Sequence, residues 1–200
     1  MFKDGIKETI ISERNAIEEM ERSLDYDNLE NICQLINNCQ GKIIFLGVGK
    51  SGHVCKKLAA TFSSTGTPSF FVHGTEACHG DLGMIEKKDI VILMSNSGTT
   101  KEVTQNLEPI KKIGATTIAF TSNPNSKLAL ECDYKIIYPK LKEADHLNLA
   151  PTNSSTMCLV LGDAIACAIS KSNNFTKDDF YNFHPNGALG ESLRKQQNNK

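Results

Sequence analysis

With 200 residues, 40% of them hydrophobic, the chain is long enough to bury one core and too short for two comfortable domains, so a single domain over 1–193 is expected. A formal charge of −1, with Lys and Arg spread along the chain, excludes the electrostatic footprint of a nucleic-acid binder, and any anionic ligand has to be held locally. The start, Met1-Phe2-Lys3-Asp4, runs into a charged pattern without a signal-peptide core, and no apolar run approaches the roughly 20 residues that span a bilayer, so no membrane association and a cytoplasmic location are expected.

Ile6, Ile10, Ile17, Met20 and Leu24 recur at helical spacing through a charged segment, and Leu29, Ile32, Cys33 and Ile36 repeat the pattern after Asp25 to Asp27. Two helices are predicted within 4–39. From Lys42 the period changes. Short β-rich runs at Ile43–Leu46, Ser69–Val72, Ile90–Met94, Thr116–Thr121 and Tyr134–Ile137 alternate with helical patterns over an α/β core, 42–193. That alternation predicts a parallel sheet wrapped by helices, with the functional groups at the C-terminal edge of the strands. Asn153–Ser170 is apolar nearly all round, which suits a subunit interface as readily as a core helix. The tail 194–200 has nothing to bury and is expected to be disordered. The seven cysteines are odd in number and form no C-x-x-C pair, so they read as reduced core residues; only Cys78, beside His79, has a case for a redox or zinc role.

The octet Ser95-Asn96-Ser97-Gly98-Thr99-Thr100-Lys101-Glu102 joins the third run to a helical pattern at Val103, Leu107 and Ile110. A hydroxyl-rich turn at a helix start presents side-chain donors and unpaired backbone N–H groups to one point, where the helix dipole also favours an anion. An ordinary helix cap needs one of its four hydroxyls. Gly47-Val48-Gly49-Lys50-Ser51-Gly52 satisfies G-x-G-x-x-G, but the second run ends at His73 rather than at a ribose-binding acid. A nucleotide P-loop fails because it would need glycine where Ile44 stands. What survives is a tight turn aiming a lysine and a serine across the sheet edge towards the octet.

A positioned imidazole can accept a proton in one step and return it in the next, which makes His79 and His184 candidates for proton transfer, whereas His53, His73 and His146 read as structural or peripheral. Glu102 closes the octet and Glu143 follows the last run, so two carboxylates and a lysine share one sheet edge. There is no G-x-S-x-G elbow and no spacing of a metal site. An anion cradle with acid-base groups, and without an evident nucleophile, cofactor or metal, suits proton transfer on a phosphorylated metabolite.

The ordered segments GVGKSGHVCKKLAATFSSTGTPSFFVH, EACHGDLGM, SNSGTTKE, KEA with LAPTNSSTM, GDA and HPNGALG resemble the sugar isomerase domain family, in particular its arabinose 5-phosphate isomerases of bacterial Kdo synthesis. The resemblance runs from about Lys42 to Leu193. It implies a five-stranded parallel sheet with helices on both faces, in a homotetramer with active sites between subunits. It also implies interconversion of D-ribulose 5-phosphate and D-arabinose 5-phosphate through an enediol, serving lipopolysaccharide or capsule synthesis. Carried onto this chain, Ser95, Ser97 and Thr100 hold the phosphate with the glycine turn at Gly49, Lys50 and Ser51. Lys50, Glu102, Glu143 and His184 form the catalytic set, with His79 in the pocket and the proton-transferring base left open among them. Asp145-His146-Leu147-Asn148 and Asn186 depart from the family pattern. Many such isomerases continue into paired CBS repeats; here the sequence stops soon after Leu193, and regulation through them is expected to be absent. The competing readings are an isomerase for another sugar phosphate, a non-catalytic sugar-phosphate sensor, and a nucleotide-dependent oxidoreductase resting on the glycine fingerprint alone.

Overall fold

The computed structural model describes residues 2–185; the predicted tail and the rest of the HPNGALG segment, from Asn186 on, lie outside them. Five strands, β1 (Ile43–Gly47), β2 (Ser69–His73), β3 (Ile90–Met94), β4 (Thr116–Thr121) and β5 (Tyr134–Ile137), pair in parallel in the order β2-β1-β3-β4-β5. Their bounds fall within a residue of the runs read from sequence. Side chains alternate between the faces, so β1, β3 and β4 each feed two cores, while β5 at the sheet edge gives only Ile136 to one of them. Ile43 and Phe45 of β1 and Ile90, Ile92 and Met94 of β3 face one side; Ile44, Leu46, Val91 and Leu93 face the other. Asp89, buried before β3, accepts the N–H groups of Lys42 and Glu86, each at 2.8 Å, and so pins the starts of β1 and β3 together.

Helices α1 (Phe2–Ser23) and α2 (Tyr26–Asn37) open the chain, with Asp25 capping α2 through the Asn28 N–H. They lie with α3 (Gly49–Ser64) and α8 (Asn153–Ser172) over the first face. The second face is covered by α4 (Gly74–Ala77), α5 (Lys101–Thr104), α6 (Leu107–Ile113) and α7 (Lys127–Glu131), through Ala77, Val103, Leu107, Ile110 and Leu128. The result is the expected three-layer α/β sandwich. Helix α9 (Lys177–Phe183) follows α8. Because the chain leaves β1 for one face and β3 for the other, the crevice between their C-terminal ends is a topological switch point, the place where open parallel sheets bind ligands.

Two expectations need correcting. The pattern through Val103, Leu107 and Ile110 forms two short helices rather than one, because the ring of Pro109 cannot share a helical turn with the carbonyl of Gln105. By length and composition α8 is apolar enough to cross a membrane, contrary to the reading of the apolar runs. Half of it is buried inside the domain, and its Asp163 pairs with Lys57 of α3, so it serves as a core helix here.

Candidate functional site

The octet starts where β3 runs out. Ser95, 3% exposed, still donates its N–H to Phe120 at 3.1 Å, as a strand residue would. Its hydroxyl shares a hydrogen bond with Thr100 at 2.8 Å, lies 3.4 Å from the Ser97 hydroxyl and accepts the Gly98 N–H at 3.1 Å. Ser97 Oγ accepts both the N–H and the hydroxyl of Thr99. Four hydroxyls therefore gather ahead of α5, whose N-cap, Thr100, makes no side-chain cap bond. The loop is bolted down from below. The Asn96 carbonyl accepts the Thr121 hydroxyl and both the N–H and hydroxyl of Ser122, and the Gly98 carbonyl accepts the Leu128 N–H.

Across the crevice, β1 ends at Gly47, where a Cβ would come within 2.9 Å of the Cys55 sulfur and 3.3 Å of the Gly52 nitrogen. The first and third glycines of the fingerprint thus let α3 start against the strand, which accounts for them without a dinucleotide. Gly49, Lys50 and Ser51 form the first turn of α3; Lys50 is exposed and has no hydrogen bond or ion pair among the described residues.

Glu102 stands exposed in α5, and its backbone is tethered by a residue that sequence reasoning missed. Asn106, fully buried, donates through Nδ2 to the Gly74 and Glu102 carbonyls at 2.8 Å each, while its Oδ1 accepts from the Cys78 thiol at 3.0 Å. This locks the segment after β2 to the octet. Cys78 serves that contact, and the exposed His79 follows it in a turn closed by its own N–H on Glu76. A polar residue inside the apolar 103–110 stripe was the available signal. Of the other histidines, His73 caps α4 by accepting the Thr75 N–H.

Glu143 comes from the segment after β5. One carboxylate oxygen accepts the N–H of Thr152 at 2.8 Å, its hydroxyl at 3.2 Å and the N–H of Ser154 at 3.1 Å, across the start of α8. The charge meets the positive end of the helix dipole, and Oε1 has no partner among the described residues. Ser154 also shares a small pocket with Ser51 and Asn96, so Glu143, the glycine turn and the octet converge. Beneath them Tyr138 donates its hydroxyl to Asn96 Oδ1 at 2.9 Å. Burial pushes the Tyr138 phenol far up and the Cys158 thiol beside it up to about 12, so both stay protonated.

His184 stands apart. Helix α8 starts beside Glu143 and rises about 30 Å. Just past its end, Phe175 packs on Gly66 in the turn between α3 and β2, and Phe183 stacks on Phe175 with 5.9 Å between centroids. His184 is thereby held towards the sheet edge opposite the octet. Its ring stacks on Phe180 at 4.0 Å, and Nδ1–H donates to the Phe180 carbonyl at 3.0 Å, leaving Nε2 without a partner among the described residues and an acceptor in the neutral form.

Helix α9 hangs on a capping box: Thr176 Oγ1 accepts the Asp179 N–H, and Asp179 accepts the Thr176 N–H and hydroxyl. The Thr176 hydroxyl and N–H hold the Asp179 carboxyl below the usual range. The cap is therefore fully present above about pH 4 and is lost as pH falls through the depressed folded value. Asp179→Ala is expected to speed amide exchange across 177–183 severalfold at neutral pH while leaving β1 to β5 protected, as hydrogen exchange will measure.

Residues 36–168, two thirds of the chain, match the SIS domain family over the sheet and its flanking helices. The chain belongs to the SIS family. This SIS domain is 50% identical over 189 residues to the arabinose 5-phosphate isomerase KdsD of Francisella tularensis SCHU S4, covering 93% of this chain and 58% of that protein. It is 47% identical over 192 residues to KdsD of Pseudomonas aeruginosa, covering 96% and 59%. It thus spans about three fifths of the length of the curated relatives it matches. The solved structure of Escherichia coli CFT073 c3406 in complex with arabinose 5-phosphate shares 51% identity with a TM-score of 0.87, covering 90% of this SIS domain and 95% of that chain.

Proposed function

We propose that this SIS domain is a D-arabinose 5-phosphate isomerase, interconverting that aldose with D-ribulose 5-phosphate and needing no cofactor. The observation that carries the reading is the hydroxyl cluster at the switch point, flanked by a lysine unpaired among the described residues and by two carboxylates. Complexation of the half-identical c3406 with arabinose 5-phosphate supports the substrate class.

Ser95, Ser97 and Thr100, with Gly49 and Ser51 opposite, hold the phosphate at the start of α5. The base removes the C2 proton of the aldose, the electron pair moves into a C1–C2 enediolate, and the Lys50 ammonium stabilises the negative oxygen. Return of a proton to C1, with transfer of the O2 proton to O1, yields the ketose; no atom is gained or lost. Glu143, with one oxygen fixed on α8 and the other free, is oriented for the carbon proton. Glu102 and His79, whose segments Asn106 ties together, are the remaining acid-base candidates.

His184 acts in the site of another copy within a homotetramer, which gives a task to its Nε2, unpartnered among the described residues. The exposed Phe2, Ile6 and Ile10 of α1 give such an assembly an apolar surface to bury. Residues 1–193 act as one domain, and the seven unpaired cysteines suit the reducing cytoplasm. The product would serve Kdo synthesis.

The test incubates the purified chain with D-arabinose 5-phosphate in D2O, without added metal or cofactor, and follows the ketose and its C1 deuterium by NMR. Approach to an aldose-ketose equilibrium is expected. Binding without turnover would replace this reading with that of a sugar-phosphate sensor.

A further inference from the structure

Between the octet and the start of α8 lies a pocket of about 30 Å³ walled by Ser51, Asn96, Ser154 and Ser155. That volume takes one oxygen-sized group. Val54, Pro151 and Cys158 line the rest of the wall, and the polar groups are not equivalent. Ser155 Oγ already donates back to the Pro151 and Thr152 carbonyls, whereas the Ser51 and Ser154 hydroxyls have no partner among the described residues. Asn96 is the oriented member. Its main-chain carbonyl is held by three donors, and its Oδ1 is occupied by the Tyr138 hydroxyl at 2.9 Å. A carboxamide has two ends; with the acceptor end taken, the two N–H groups of Nδ2 remain, unpaired among the described residues.

Asn96 stands in the chain between Ser95 and Ser97 of the cradle, and its pocket reaches Ser154, whose N–H Glu143 holds, so a group seated there lies between the cradle segment and Glu143. We propose that this pocket is the subsite for one hydroxyl of the sugar chain, with Asn96 Nδ2 as its donor and Tyr138 as the positioning residue that fixes the amide. The inference rests on the sugar-phosphate reading above. Neither residue belongs to the acid-base set, and their effect falls on substrate affinity.

The experiment measures kcat and KM for D-arabinose 5-phosphate, and inhibition by inorganic phosphate, in the full chain. Asn96→Ala is expected to raise KM about tenfold, the loss of one well-placed hydrogen bond. Inhibition by inorganic phosphate, which has no hydroxyl chain, stays unchanged. Asn96→Asp keeps the acceptor for Tyr138 but removes the donor, and raises KM at least as much. Tyr138→Phe preserves the buried ring and raises KM severalfold in the wild type, yet adds nothing in the Asn96→Ala background. A KM within twofold of wild type in both Asn96 variants overturns the proposal. So does a parallel weakening of phosphate inhibition, which would make Asn96 part of the cradle's scaffold, or an equal effect of Tyr138→Phe in both backgrounds. Binding of D-arabinose 5-phosphate without turnover defeats the isomerase reading alone; the same comparison of dissociation constants then decides the subsite.

Discussion

Glu143→Gln should lower kcat for D-arabinose 5-phosphate by roughly 10²- to 10⁴-fold, the cost of losing a general base, while thermal stability changes little. The substitution separates the observed cap from the base role proposed for the same side chain. As a cap, Glu143 needs only one oxygen to accept the Thr152 and Ser154 N–H groups, and the glutamine carbonyl supplies it. As a base it needs its second oxygen unprotonated and negative, which an amide nitrogen cannot replace. Glu143→Ala would confuse the two by releasing the start of α8, leaving two backbone donors without their acceptor. A Gln variant with kcat within a few-fold of wild type would reduce Glu143 to a helix cap and move the carbon proton to Glu102 or to the His184 of another copy. Circular dichroism melting and steady-state kinetics on the same preparation distinguish these outcomes.

The difference between what the sequence shows and what it hides follows the range of the interactions. The strands are legible because parallel strands covered on both faces must be apolar on both faces, so Ile43–Leu46 and Ile90–Met94 stand out against charged surroundings. The octet is legible because its hydroxyl density exceeds the needs of a cap. Their common edge follows from strand polarity alone. The tethers are not legible, because each joins residues distant in sequence. Asn106 reaches the Gly74 carbonyl 32 positions away, and Tyr138 reaches Asn96 across 42. Nothing local to Glu143 announces that the chain returns nine residues later to place α8 on its carboxylate. The position of His184 is hidden for another reason. Its motif suits a site, but the length of α8 carries it towards the far edge of the sheet, a displacement that no local pattern around His184 announces.

Gly98→Ala is expected to be the most damaging single-methyl change in the cradle, with phosphate affinity reduced at least 100-fold and stability reduced by roughly 2–5 kcal/mol. Two independent costs add. The backbone at Gly98 has φ +66°, a left-handed conformation in which a Cβ meets its own carbonyl surroundings. That Cβ would also overlap the Ser126 side chain and come within 2.9 Å of the Thr121 hydroxyl. Neither neighbour is free to withdraw, since Ser126 caps α7 through the Ala129 N–H and Thr121 donates to the Asn96 carbonyl. The strain therefore passes into the turn that holds the Ser95 and Ser97 hydroxyls, because the Gly98 N–H is itself bonded to Ser95 Oγ. A second substitution separates the two costs. Ser126→Gly removes the overlapped side chain, and glycine as an N-cap costs only a few tenths of a kcal/mol, so in the Gly98→Ala background it should recover part of the melting temperature. The left-handed strain remains, and phosphate affinity should recover only in part. Full recovery of both would assign the whole effect to the collision with Ser126; no recovery of either would assign it to the backbone alone.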